Sequence, residues 1–258
     1  MEAAVAEVCA DLTGRIRIAE RPDLQFYAAS TMKVAVLIAL FRRYDAGLLD
    51  LERPVRVTST FTSVHDGSPF AIDADDVDEA LTAAATEDWS VRALIERMIT
   101  VSSNNATNLV LDLLDLAEVQ AAVTELGAAN TVIVRPIGDR VAAAAGLQNL
   151  ITARDLVTIM TAIATERAAS PASCREMLAI LTRQRHREGI ADALPADVRS
   201  ASKGGWVTRL RHDVALIWPP TGDPYCHAIC TRGLDDPEAL RTIQDRTAAA
   251  YATYGGPV

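Results

Sequence analysis

The chain has 258 residues, half of them apolar, enough to bury about 70–75% of its unfolded surface in one large domain or two closely packed sub-domains. Its four cysteines (Cys9, Cys174, Cys226, Cys230) are too few and too scattered for a disulfide framework, and its longest apolar stretch, Val34 to Phe41, falls far short of the roughly 18 residues of a membrane span. A net charge of −9 argues against nucleic acid, whose binding rests on Lys and Arg neutralising phosphates, and the scattered histidines read as neither a metal nor a cofactor site.

Residues 2–12 carry a helical apolar period ending near Gly14, and Arg15 to Glu20 alternates like a short strand. After the turn Arg21-Pro22-Asp23, Leu24 to Ala28 is a second strand candidate, which predicts an N-terminal hairpin. Ser30 stands where an N-cap opens the apolar helix Met32 to Ala46, with Gly47 as its stop, so Lys33 falls one turn along on the face of Ser30. From Leu48 to about Asp78 the chain is rich in Thr, Ser, Asp and Pro and reads as a crossover with surface loops; His65-Asp66 belongs to these loops.

Helical patterns then dominate. Ser90 caps Val91 to Thr100, and Asn105 to Leu116 and Glu118 to Leu126 follow, with Gly127 as a stop. Thr152-x-x-Asp155 is a capping box before Leu156 to Glu166, and Ser170-Pro171 opens a helix to about Gln184. The C-terminal third changes period: Arg199 to Trp206, Leu210 to Trp218 and Tyr225 to Thr231 read as strands, and Asp236-Pro237-Glu238 opens a final helix. The expected architecture is α/β (α+β): an antiparallel sheet from the N- and C-terminal segments, flanked by helices, with an inserted all-α sub-domain. Residues 1–47 plus 191–258 would form the α/β part and 48–190 the helical part, sharing a cleft.

All but two of the 25 basic residues are Arg, the exceptions being Lys33 and Lys203. Arg stays protonated, whereas a crowded or buried Lys can lose its proton and serve as a base or shuttle. Both lysines fall in short motifs: Ser30-Thr31-Met32-Lys33, and Lys203-Gly204-Gly205 on a strand. Between them stands Ser102-Ser103-Asn104. In this order the three resemble the S-x-x-K, S-D-N and K-T-G set of the serine β-lactamases and penicillin-binding proteins. The flanking segments Val101 to Leu109 and Arg211-His212-Asp213-Val214-Ala215 are similar to class A-type β-lactamases, so the resemblance extends over nearly the whole chain.

The resemblance implies a β-lactamase/transpeptidase-like fold and an acyl-enzyme on Ser30. A serine hydroxyl needs a neighbour to take its proton, and Lys33 is placed for that by helical spacing. By similarity, Ser102 relays a proton to the leaving group, Asn104 holds the substrate amide and orients Lys33, and Lys203 keeps the site positive. The backbone N–H groups of Ser30 and Trp206 would form the oxyanion hole beside Gly204 and Gly205, with Trp206 also walling the substrate pocket.

Three departures stand out. Ser103 replaces the family's Asp. Gly204 replaces the Thr or Ser of K-T-G and removes a hydroxyl that would bind a substrate carboxylate; Arg209, Arg211 or His212 on the next strand are replacement anchors, or simply a solvated basic edge. Class A enzymes carry a Glu on the loop after the helical domain that activates the deacylating water. Here the stretch Val134 to Asn149, whose candidate deacylation residues are Asp139 and Asn149, contains no Glu, and its only carboxylate, Asp139, is either the substitute or one side of an ion pair with Arg135 or Arg140.

The expected function is a β-lactamase-like serine hydrolase acting on a β-lactam or a related amide or ester, with deacylation impaired or unconventional. A D-alanyl peptidase, transacylase or esterase of the same superfamily, and a non-turnover ligand-binding or sensor module, remain open alternatives. The expected partner is a small molecule, with no cofactor; the oligomeric state is not legible. Glu2 stands where a secretory leader carries positive charge, so the chain as written reads as cytoplasmic, or as periplasmic or secreted if it is a trimmed mature form.

Overall fold

A computed structural model describes residues 2–73, 76 and 78–255. Its first element is a strand, β1 (Ala4–Asp11), where the apolar period predicts a helix. The reason is burial on both faces: Ala4, Ala6, Val8 and Ala10 join one hydrophobic core and Cys9 the other, and a strand buried on both faces shows a near-continuous apolar run instead of alternation. Strand β2 (Ile16–Glu20) follows as expected and closes a hairpin on β1, its turn held by the Asp11 carboxylate accepting from Thr13 N and Arg15 N at 3.0 and 3.1 Å. Of Leu24 to Ala28 only β3 (Phe26–Tyr27) is a strand, and it does not pair with β2. The N-terminal hairpin is therefore formed by β1 and β2.

A 3-10 turn over Ala29–Met32 leads into helix α1 (Lys33–Asp45). Ser30 sits inside this turn, and Met32 occupies the cap position of α1 with no side-chain cap bond, which corrects the N-cap expectation for Ser30. Every residue of α1 from Lys33 to Phe41 is buried. Gly47, at φ +71°, ends the helix region in a backbone conformation that costs glycine little.

The insertion is not purely helical. It holds the short strands β4 (Pro54–Arg56), β5 (Thr60–Thr62) and β6 (Pro69–Ala71), then helix α2 (Glu79–Ala83) and strand β7 (Asp88–Ser90). β4 pairs with β7 and β5 with β6; three residues are too few to display an alternation. Helices α3 (Val91–Thr100), α4 (Asn104–Leu111) and α5 (Leu116–Thr124) come next, each opened by a side-chain cap from Ser90, Ser103 and Asp115 respectively. Helix α6 (Arg140–Ala144) and strand β8 (Leu150–Ile151), which pairs with β3, precede α7 (Ala153–Ala164) and α8 (Pro171–Thr182). The capping threonine and serine of α7 and α8, Thr152 and Ser170, act where the sequence places them.

Strands β9 (Arg199–Val207), β10 (Leu210–Trp218) and β11 (Tyr225–Arg232) and helix α9 (Asp236–Tyr254) complete the chain. The main sheet is antiparallel throughout, in the order β2-β1-β11-β10-β9. Its two faces alternate residue by residue, as a pleated strand requires. Val214, Leu216, Cys226, Ala228 and Cys230 join α1, α3, α4, α7 and α8 in the larger core, and Ala215, Ile217, Tyr225 and Ile229 meet Ile243 of α9 in a smaller one. All four cysteines are buried free thiols, which suits small core residues. No helix among the described residues is long and apolar enough to cross a membrane. β9 lies at the sheet edge beside the turn that carries Ser30.

Candidate active site

The turn carrying Ser30 is backed by the sheet edge. A Cβ on Gly205 would stand 2.7 Å from Ser30 N and 2.9 Å from Thr31 N, so only glycine lets β9 approach this closely. Ala29 is held at φ +44°, an uncommon conformation for a residue with a side chain, and Thr31 donates its hydroxyl to Ala28 O at 2.5 Å. Near the start of a helical turn an N–H has no partner within it, so the Ser30 amide is the kind of donor that binds an oxyanion.

Lys33 is fully buried at the start of α1. Its ammonium donates to Ser102 O at 2.7 Å, to Asn104 Oδ1 at 2.7 Å and to Ser102 Oγ at 3.2 Å. Burial, and after it the nearby Lys203 charge, hold Lys33 well below the usual lysine range, while Asp76 opposes the shift. Lys203, also fully buried, donates to Ser102 Oγ at 3.0 Å and to Gly204 O at 2.7 Å. Burial pushes it down to about 7, against the pull of Asp213. The two lysines thus meet on one hydroxyl. With both lone pairs of Ser102 Oγ accepting, its own proton is free to point elsewhere. Ser102 adopts φ +55° between α3 and α4, a strained conformation of the sort concentrated at working sites.

Asn104 is engaged at both ends, since its Nδ2 donates to Asp76 Oδ2 at 2.6 Å. Ser103, in the position of the family's Asp, caps α4 by accepting from Ala106 N at 3.1 Å. Gly204 faces Asp213 across the β9–β10 ladder. A Cβ there would meet His212 O at 3.5 Å and Asp213 Oδ1 at 3.7 Å, ordinary contacts, so packing does not demand glycine at this position. Asp213 is buried; Ile190 N donates to its Oδ2 at 2.8 Å, its Oδ1 has no partner among the described residues, and burial pushes its pKa up to about 6.

Ser30, Ser102, Asn104 and Trp206 line one cleft of about 690 Å³, and Lys33 and Lys203 lie beneath its floor. Other expected residues fall elsewhere. Asp139 is fully buried and caps α6, accepting from Ser63 Oγ at 2.9 Å, Val64 N at 3.0 Å and Ala142 N at 2.9 Å. It neither lines the cleft nor pairs with arginine; Arg140 pairs with Asp73, and Arg135 donates to Leu147 O at 2.9 Å. Asn149 is buried behind the turn, where its Oδ1 accepts from Val134 N and Arg135 N and its Nδ2 donates to Arg135 O.

The three basic candidates of β10 and the turn before it also lie outside the cleft. Arg211 donates to Asp236 Oδ1 at 2.6 Å and stacks 5.4 Å from the Trp206 ring centroid. Trp206 and His186 pack edge to face at 4.9 Å and line both the Ser30 cleft and the shallower hollow holding Arg209 and Arg211, so the pair forms a partition between them. His212 is buried and drawn down to about 4; Thr231 N donates to its Nδ1, which leaves Nε2–H to donate to Tyr27 O at 2.9 Å. His65 and Asp66 are exposed in the turn before β6, remote from this cleft's lining.

Sequence reasoning missed Asp76, Arg185 and His186, all on the cleft wall. They stand in connecting segments without motif or periodicity, and nothing short of the fold brings them to Ser30.

This architecture and constellation define the class A-like serine β-lactamase fold. The model of the β-lactamase enzyme family matches residues 3–254, and the chain belongs to that family. A β-lactamase of Bacillus licheniformis is 30% identical over 233 residues, covering 82% of this chain; the chain spans 66% of that relative's length. A β-lactamase structure from Sphaerobacter thermophilus is 28% identical with a TM-score of 0.86, covering 99% of this chain and 94% of that one. A variant of PBP-A, solved as an acyl-enzyme complex with penicillin G, is 25% identical with a TM-score of 0.80, over 97% of this chain and 90% of that one.

Proposed function

We propose that this protein is a serine acylase that forms an acyl-enzyme on Ser30 with a β-lactam or a related amide, and that it hydrolyses that intermediate slowly. The observation carrying the reading is the Ser102 hydroxyl held between Lys33 and Lys203 in the cleft of Ser30. Its depressed pKa gives Lys33 a neutral fraction able to take the Ser30 proton. Ser30 Oγ then bonds to the substrate carbonyl carbon, whose oxygen takes the negative charge and faces the Ser30 and Trp206 amides. As the carbonyl re-forms, the C–N bond breaks; Ser102 hands its proton to the leaving nitrogen and recovers one from Lys33, so no net proton is gained or lost. Lys203, charged below about pH 7, stabilises the anionic stages.

Slow hydrolysis follows from the wall contributed by the stretch after α5. It presents Ile137, Gly138 and Ala143 to the cleft and no carboxylate, while Asp139 is occupied by three donors. Among the described residues that stretch offers a water no side-chain base, and the carboxylates on the rest of the cleft wall, Asp73, Asp76 and Asp78, are engaged by Arg140, Asn104 and Arg97 respectively. The acyl-enzyme of the PBP-A variant with penicillin G supports a penicillin as the first probe.

The test is an intact-mass time course with a penicillin and a cephalosporin, beside Ser30→Ala. A persistent adduct on the wild type and none on the variant supports the reading. An adduct that clears within seconds overturns slow deacylation, and an adduct on Ser30→Ala overturns the assignment of the nucleophile.

A further inference from the structure

Helix α3 ends beside the cleft, and the last carbonyls of a helix have no partner within it. Three of them in succession are taken up by three successive residues of the α8–β9 connection. The Gln184 side chain donates to Ile99 O at 2.8 Å, Arg185 N to Thr100 O at 2.9 Å, and His186 Nε2 to Val101 O at 3.3 Å. A carbonyl can only accept, which places the hydrogen of this last bond on Nε2. The Gln184 side-chain oxygen in turn accepts from Arg185 N and His186 N at 2.9 and 3.0 Å, so the segment is itself held in shape. Val101 leads directly into Ser102 at φ +55°, a conformation that persists only where its surroundings impose it. The same imidazole packs 4.9 Å from Trp206, which is exposed on the edge strand β9 with Arg211 over its ring.

From this arrangement we infer that His186 is a positioning residue: it clasps the end of α3 to the sheet edge and so sets the Ser102 relay against the Trp206 amide of the oxyanion hole. The inference rests on Ser30 acylation as proposed above. The relay and the amide serve one transition state from separate elements, the α3–α4 junction and β9, which lie about a hundred residues apart in the chain. Their spacing is therefore fixed by side chains that touch both, and His186 is on the cleft wall between them. Rates depend steeply on such spacing, since a misplacement of about 1 Å can cost about 10²-fold. Lys33 and Lys203 hold Ser102 from beneath the floor, and His186 holds the preceding carbonyl from the wall. Both ends of the clasp act where a proton moves or charge develops, so its effect falls on the chemical step and not on the resting complex.

The experiment measures, by stopped flow and intact mass, the dissociation constant of the first complex with a penicillin and the rate constant of Ser30 acylation. It is run on the wild type, His186→Ala, His186→Phe, His186→Gln and the control Arg187→Ala, whose side chain pairs with Asp192 in the same connection. His186→Ala is expected to slow the acylation step about tenfold with the dissociation constant unchanged. His186→Phe keeps a ring against Trp206 and His186→Gln keeps a donor for Val101 O, so each should melt near the wild type and recover part of the rate. Arg187→Ala should match the wild type. Because the clasp acts through Ser102, the loss from His186→Ala should shrink to about threefold or less in a Ser102→Ala background. A loss of affinity alone, acylation within about twofold of the wild type, or an undiminished loss in that background overturns the clasp while acylation stands. If His186→Ala unfolds, a full rate in both His186→Phe and His186→Gln does the same. If penicillin labels none of the proteins, the acylation reading falls and the clasp with it.

Discussion

Lys33 holds Ser102 at two points: its ammonium lies 2.7 Å from the Ser102 carbonyl oxygen and 3.2 Å from the hydroxyl. The shorter of the two bonds is to the backbone, so the position of Lys33 survives removal of the Ser102 side chain. The roles of positioning and proton relay are therefore separable by mutation.

Ser102→Ala should keep the fold and the Lys33–carbonyl bond while slowing acylation of Ser30 by about 10²- to 10⁴-fold, the usual worth of a positioned proton-transfer group. Stopped-flow acylation, together with a thermal melt, checks this. A loss under about fivefold would remove Ser102 from the relay.

The alkaline limb of acylation should reflect Lys203. Its charge is present below about pH 7 and lost above, so the rate should decline as pH rises through that value. Arg keeps its proton in this range, so Lys203→Arg should lose the limb even where its maximum rate is lower. Stability moves the other way: the unfolded chain holds this proton up to 10.5, so it binds more protons than the folded state between about 7 and 10.5, and the Lys203 contribution to stability increases with pH across that window. Acylation profiles and denaturant titrations at matched pH separate the two effects.

Adjacent glycines should respond very differently. Gly205→Ala drives a methyl to 2.7 Å from Ser30 N and is expected to cut acylation by at least about 10²-fold, because a displaced oxyanion donor costs that much. At Gly204 an added Cβ meets only contacts of 3.5 Å and longer, so Gly204→Thr should fold and should raise the acylation rate of carboxylate-bearing substrates by restoring a hydroxyl. Equal losses in the two variants would contradict the close approach of β9 to the Ser30 turn.

Asp139→Ala should destabilise the protein by about 2–4 kcal/mol, since it removes a helix cap and strands buried donors. The deacylation rate of the remaining folded protein should not change. Denaturant unfolding gives the first quantity and adduct decay by mass the second; a deacylation defect without a stability loss would return Asp139 to the reacting centre.

Local signals were readable where a side chain bonds its own backbone neighbourhood. Ser90, Thr152 and Ser170 mark the starts of α3, α7 and α8 because each caps within three residues, and β10 spans Leu210–Trp218 as its pattern predicts. The same rules fail at β1, whose burial on both faces erases the alternation, and at β8, a two-residue strand that exists by pairing with β3. Asp139 and Arg211 mislead for a related reason. A carboxylate on a loop or an arginine on a strand looks available until its partners are known, and Ser63, Val64 and Asp236 are distant in the chain.

The sequence by itself determined the chemistry on offer: two lysines, each in a short motif beside a serine or glycines, and the helices and strands that carry them. Propensity, capping and residue type act over a few positions, so they are written locally. Only the tertiary structure decided that both lysines converge on Ser102, that Trp206 and His186 divide Arg211 from the cleft, and that Asp139 is buried away from it. Burial and long-range pairing set those outcomes, and both belong to the packed chain as a whole.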